Sequence, residues 1–235
     1  MNLVECLMKT GLTGHESELY ITLSREGALT GYEAAKATGI SRANAYQALA
    51  GLVAKGAAYT VEGKVLHYTA VPAEEYCANV GRFMKTVLEK ITQECPTGKN
   101  SSEPYLTISG FTHILNKMKN MIEGAQARVY VSLSDKELAS IHDTLESAVK
   151  RGLKVVAIVS GKARPEGVTI YPMNKEPGSV RLIADSSYVL TGTLSGSEED
   201  TCLFSKNKSL VELIKDSLKN EIRLSQLASE VTDQD

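Results

Sequence analysis

Residues 30–56 limit the fold more than any other stretch, because two helix-opening signals, each closed by glycine, stand there with one turning residue between them. Thr30-Gly31-Tyr32-Glu33 has the form of a capping box, in which a hydroxyl and a carboxylate reciprocally satisfy the open amides at a helix start. The short helix that follows carries Ala34, Ala35 and Ala37 and ends at Gly39, where a left-handed residue is wanted. Ile40 turns the chain. Ser41 then caps a longer helix whose Ala45, Leu49, Leu52 and Val53 form an apolar stripe before Gly56 stops it. Two helices around a tight turn, the second longer, outline a helix-turn-helix. Upstream, a second box, Thr13-Gly14-His15-Glu16, opens a helix to about Arg25 with Leu19, Tyr20 and Leu23 on one face and Gly27 at its end. Downstream, β-compatible runs at 57–61 and 65–69 flank Glu62-Gly63-Lys64, a short hairpin that supplies a wing. Residues 1–72 thus read as a winged helix.

From Pro72 the pattern becomes one long helix, 73–95, in which Tyr76, Val80, Phe83, Val87 and Ile91 recur at four, three, four and four residues. So narrow a stripe fits a dimerisation seam with a second copy, and packing on the chain's own C-terminal domain is the alternative. Residues 96–104 are polar and rich in breakers and serve as a linker. Beyond it, strand-like runs at 105–108, 128–133 and 155–159 alternate with helical runs ending near Ala125 and Lys150. Further strands are expected at 180–184, 188–194 and 201–204, then a helix over 208–227. Residues 105–229 therefore form an α/β domain with a largely parallel sheet, and the whole chain is an α+β multidomain protein.

Charge narrows the function. Twenty-six basic and 28 acidic residues leave a net charge of −2, so no chain-wide basic field announces a polyanion, and residues 1–72 hold six cations and six anions. A neutral head needs its cations on one side, and two copies, to hold DNA at cell salt. The reading helix would offer Ser41, Arg42, Asn44 and Gln47 to base edges and phosphates, with Tyr46 beside them. Thr30 and Tyr32 are expected phosphate contacts, and Lys64 reaches from the wing. Cys6, Cys77, Cys95 and Cys202 show no metal or disulfide spacing, and no cofactor or metal site is expected. No apolar run approaches the ~20 residues of a membrane span and no cationic leader opens the chain, so the expectation is a cytoplasmic protein with no membrane partner.

The segments Gly11-Leu12-Thr13, Leu29-Thr30-Gly31-Tyr32-Glu33-Ala34-Ala35, Ala45-Tyr46-Gln47-Ala48-Leu49 and Tyr68-Thr69-Ala70-Val71-Pro72 resemble the TrmB family of transcriptional regulators. That resemblance implies a DNA-binding winged helix, a coiled-coil dimerisation helix and a regulatory domain of phospholipase D-like fold. The phospholipase D signature, HxKxxxxD, is absent: with Asp185 as its aspartate, the histidine and lysine positions are Gly178 and Val180. His15, His67, His113 and His142 have no signature around them. The C-terminal domain is thus expected to be non-catalytic and to sense a small effector, a sugar or anionic metabolite, at loops carrying Ser132, Ser134, Ser160, Lys162, Arg164 and Asp185. A homodimer on a palindromic operator is the expectation. The alternatives are a protein-interaction winged helix that never touches DNA and, more remotely, a phosphodiesterase-like enzyme.

Overall fold

The computed structural model describes residues 1–96, 105–161 and 164–232, with side chains as far as 228. Of the expected linker only Pro96 lies among these described residues. The chain divides into two compact units, Met1–Lys99 and Asn100–Asp235.

The first unit runs α1 (Leu3–Lys9), α2 (Gly14–Glu26), β1 (Leu29–Thr30), α3 (Gly31–Thr38), α4 (Arg42–Ala54), β2 (Ala58–Val61), β3 (His67–Ala70) and α5 (Ala73–Glu94). Both expected capping boxes form, Thr13 with Glu16 and Thr30 with Glu33, and a third pairs Asn2 with Glu5 to open α1, a helix the periodicity missed. The alanines have a packing role. Ala34 and Ala35 of α3 and Ala45 and Ala48 of α4 are buried, which lets the two helices approach closely over Leu19, Leu23, Leu49 and Leu52. The three strands order β1-β3-β2, antiparallel throughout. The wing's second strand begins two residues later than expected. In the register Ala58↔Ala70, Val65 would face Gly63 only two residues away, so the ladder stops at Val61↔His67 and Val65 and Leu66 stay in the exposed loop.

The root of α5 belongs to this unit's core. The Tyr20 hydroxyl donates to the Val71 carbonyl at 2.8 Å, the Tyr76 and Thr10 hydroxyls lie 2.7 Å apart, and the two tyrosine rings meet at 5.3 Å. Tyr76 is 2% exposed and Val80 packs beside it. Tyr76 is thus unavailable to a second copy, which corrects the expected seam: the stripe is continuous along the helix, but its first member is already covered and its second, Val80, is half-buried against the head. Phe83 and Ile91 remain exposed and Val87 half-buried.

The second unit runs β4 (Tyr105–Ser109), α6 (Phe111–Gly124), β5 (Arg128–Leu133), α7 (Asp135–Ala139), α8 (His142–Lys150), β6 (Lys154–Val159), β7 (Thr169–Pro172), β8 (Ser179–Ala184), β9 (Tyr188–Thr193), β10 (Thr201–Ser205) and α9 (Lys208–Thr232). Its seven-stranded sheet has the order β4-β10-β9-β8-β5-β6-β7. Only β5, β6 and β7 are parallel; the other pairs are antiparallel, so the sheet is mixed rather than largely parallel. The reason is the connections. Helices join β5 to β6, whereas the links between β8, β9 and β10 are short and allow only antiparallel return. One face packs on Ile114, Met118 and Ile122 of α6 and Leu145 of α8. The other packs Ile158, Ile183 and Val189 against Val211 and Leu218 of α9. At Gly192 a Cβ would stand 2.7 Å from the Cys202 Cα of the neighbouring strand, so only glycine fits.

Candidate nucleic-acid interface

α4 differs from the three helices before it in how it begins. α1, α2 and α3 each carry a glutamate in the first turn that closes a capping box. In α4 the Ser41 hydroxyl accepts from the Asn44 amide at 3.4 Å and no acid is present in the first turn. The positive end of this helix is therefore not neutralised by its own side chains, which suits an approaching phosphate. Ser41, Arg42, Asn44, Tyr46 and Gln47 are all exposed along the face opposite Ala45, Ala48 and Leu49.

Two tyrosines bind this face to α3. The Arg42 guanidinium lies 4.5 Å from the centroid of the Tyr32 ring, a cation–π contact that holds a planar donor fork in place. The Tyr46 ring lies across Gly31, where an added Cβ would come within 2.6 Å of its Cζ. Tyr32, Arg42 and Tyr46 thus form one surface over both helices, and Lys64 stands exposed on the wing loop. Thr30 is corrected. Its amide and hydroxyl both donate to the Glu33 carboxylate at 2.8 Å, so the residue has no donor left for a phosphate and an anion already occupies that helix start.

Glu16 sets the charge balance deeper in the unit. It accepts from the Thr13 amide and from Lys55 Nζ, both at 2.6 Å, and Lys55 also donates to the Gly11 carbonyl at 2.9 Å. Burial works to raise the pKa of Glu16, but the Lys55 ammonium and the Thr13 amide outweigh it and hold the carboxyl below its usual range. One of the head's six cations is thereby spent on internal structure.

The expected effector residues do not converge. Ser132 lies inside β5 facing α9, is 3% exposed, and donates to Glu221 at 3.0 Å. Ser134 caps α7 with Glu137. Asp185 sits at the opposite end of the sheet, because β8 runs antiparallel to β5 (Val129↔Ala184). Its carboxylate accepts the amides of Gln126, Ala127 and Arg128 at 2.8, 2.9 and 2.9 Å, which makes it a structural clamp. Burial opposes this, yet the three amides hold its pKa below the ordinary aspartate value. Ser160 and Arg164 are exposed beside the end of β6, and Lys162 lies outside the described residues. A cluster that sequence reasoning missed lies under α9, where Glu221 receives Lys175, Arg181 and Ser132. Burial lowers the Lys175 pKa against the pull of Glu221. No sequence signal links these residues, which come from four separate elements and loops.

Residues 7–74 match the family described as sugar-specific transcriptional regulator TrmB, and residues 106–221 match transcriptional regulator TrmB, EBD N-terminal subdomain. The chain belongs to the TrmB family. As a TrmB regulator it is a DNA-binding protein of transcription control. It is 26% identical over 239 residues to the uncharacterized protein YrhO of Bacillus subtilis (strain 168), spanning 96% of this chain and 86% of that one. Among solved structures it is similar to TrmBL2, described as an archaeal chromatin protein with a novel mode of DNA binding, at 22% identity, TM-score 0.46, over 93% of this chain and 96% of that one. It is also similar to Nuc of Salmonella typhimurium, a phospholipase D family member, at 15% identity, TM-score 0.42, over 50% of this chain and 93% of that one. Among the described residues no helix is long and apolar enough to cross a membrane.

Proposed function

We propose that this TrmB regulator is a homodimer that reads an inverted-repeat operator through α4 of each head, and that its C-terminal domain senses a small effector without catalysing a reaction. The observation that carries the reading is the exposed face of α4. Arg42, Asn44 and Gln47 are the side chains that pair with guanine and adenine edges in the major groove, and the helix beneath them starts without an acid. The head's charge balance supports a pair of heads rather than one, since each phosphate contact adds affinity by counterion release. The outer part of α5, with Phe83, Met84, Leu88 and Ile91 exposed, supports pairing of the chain with itself. For the C-terminal domain, Ser160 and Arg164, exposed beside the carboxyl end of β6, favour a sugar or an anionic metabolite. Such an effector changes DNA affinity only as far as it binds one dimer geometry better than the other.

The test is selection of bound duplexes from a random library at physiological salt, with candidate sugars and sugar phosphates added in parallel. Enrichment of an inverted repeat with half-sites about one helical turn apart supports the reading. Failure to enrich any sequence under all conditions overturns it in favour of a protein-interaction module.

A further inference from the structure

Where α5 leaves the head, its open face carries a row that fits its own reverse. Gly81, Met84, Leu88 and Ile91 follow one another at three, four and three residues, and Cys77 and Cys95 extend the row by four residues at either end. These are the alternating intervals of a coiled-coil seam. Met84, Leu88 and Ile91 are 43%, 56% and 55% exposed, and both cysteines are exposed thiols. A shallow groove bordered by Gly81, Met84, Leu88 and Thr92 runs beside them.

The pairs 77 and 95, 81 and 91, and 84 and 88 are each equidistant from residue 86. A second α5 laid antiparallel and centred at that level sets Met84 against Leu88, Gly81 against Ile91 and Cys77 against Cys95. Each layer combines one residue of each of the two seam positions, as an antiparallel pair requires, and the missing side chain of Gly81 leaves the hole that Ile91 fills. Parallel pairing would instead put Gly81 on Gly81 and leave a void. Antiparallel pairing also carries the heads to opposite ends of the seam. Cys77 of the two copies would stand about 27 Å apart along it at ~1.5 Å per residue, on the order of one turn of duplex.

We infer that α5 pairs antiparallel with a second copy in this register, and that Cys77 of each copy forms a disulfide with Cys95 of the other when the protein meets a peroxide. The inference rests on the homodimer reading and specifies its geometry. Helix axes about 8–10 Å apart, less two Cα radii of about 2.3 Å, leave roughly 3–5 Å between Cα atoms that face directly and more for those set off-axis. That range overlaps the about 4.4–6.8 Å that a disulfide spans. In the chemistry, one thiolate attacks a peroxide oxygen to give a sulfenic acid and, with a proton, water. The opposing thiol then displaces a second water from the sulfenic sulfur to form the S–S bond, so two thiols and one hydrogen peroxide give one disulfide and two waters. The lock is reversed by thiol reductants. Cys202 is an internal control: burial first, and the Asp200 carboxylate second, push its thiol up to about 12.

The experiment treats the reduced full chain with hydrogen peroxide and follows linked dimer by non-reducing electrophoresis, with peptide mapping of the bond and light scattering of the reduced protein. The expected result is a dimeric reduced chain that becomes a covalent dimer through a peptide joining Cys77 to Cys95, lost in Cys77→Ser and in Cys95→Ser alike. A bond between identical cysteines that persists in one of these variants overturns the antiparallel register while leaving the homodimer standing. A reduced dimer that forms no link overturns the inference alone. A monomeric reduced chain overturns the homodimer reading and this inference with it.

Discussion

Replacing Asp185 separates a structural aspartate from a ligand-binding one. Asp185 and Ser186 occupy the left-handed region, at φ 51° and 54°, and the Asp185 carboxylate accepts the amides of residues 126 and 127. Three charge-assisted hydrogen bonds at 2.8–2.9 Å are lost in Asp185→Ala. Residues 126–128 are solvent-accessible, so their amides regain water and the cost per bond sits at the low end, about 1 kcal/mol each or about 3 kcal/mol in all. Asp185→Asn keeps an oxygen acceptor and a residue that tolerates the left-handed turn, and should cost about half as much. For a domain of this size, at roughly 3–6 °C per kcal/mol, alanine lowers the unfolding midpoint of the C-terminal unit by about 9–18 °C and asparagine by about 4–9 °C. Calorimetry at pH 7 measures both. The sign of the pH dependence follows from the depressed pKa: the stabilisation is present above the ordinary aspartate value of 3.8 and is lost as pH falls through the lower folded-state value. The gap between wild type and Asp185→Asn should therefore close in acid. An Asp185→Asn protein that melts with the wild type at pH 7 but fails to respond to an effector would refute the clamp.

Arg42→Ala and Gln47→Ala should each weaken operator binding by roughly 5- to 150-fold in fluorescence anisotropy, at about 1–3 kcal/mol per bidentate base contact, with the dimer intact by light scattering. Tyr32→Ala should cost less and act through Arg42, so its effect should vanish in the Arg42→Ala background. Gly192→Ala places a methyl against the Cys202 backbone and should prevent the C-terminal unit from folding, read as loss of its protease-resistant fragment. Glu16→Gln should melt the head earlier at neutral pH, and the difference should shrink below the ordinary glutamate value of 4.5 and disappear as pH falls through the lower folded-state value that Lys55 maintains.

What was legible in the sequence was local. Thr13 with Glu16 and Thr30 with Glu33 act across three residues, so their boxes could be read directly, and the helix-turn-helix followed from Gly39, Ser41 and Gly56. α1 escaped because seven residues hold too few turns to show a period, and β7 because four residues ending in Pro172 carry little pattern. Periodicity named the α5 stripe but not its cover: Tyr76 looks the same in the sequence whether Tyr20 or a second copy lies against it. Strand direction was equally invisible, which is why Asp185 and Ser132 were grouped although β8 carries Asp185 to the other end of the sheet. Glu221 meets Lys175 across 46 residues of sequence, beyond any spacing rule.

The order of strands also sets a timetable for synthesis. The head closes once Tyr76 reaches Thr10, all within the first part of the chain. In the second unit, β4 pairs with β10, the first strand with the last, and the sheet face bearing Ile158, Ile183 and Val189 waits for Val211 and Leu218. At ribosomal rates of roughly 5–20 residues per second, a nascent chain would carry a finished head for on the order of ten seconds before its second unit could close. Each newly made regulator would thus have a reading helix before it had a folded domain to govern it.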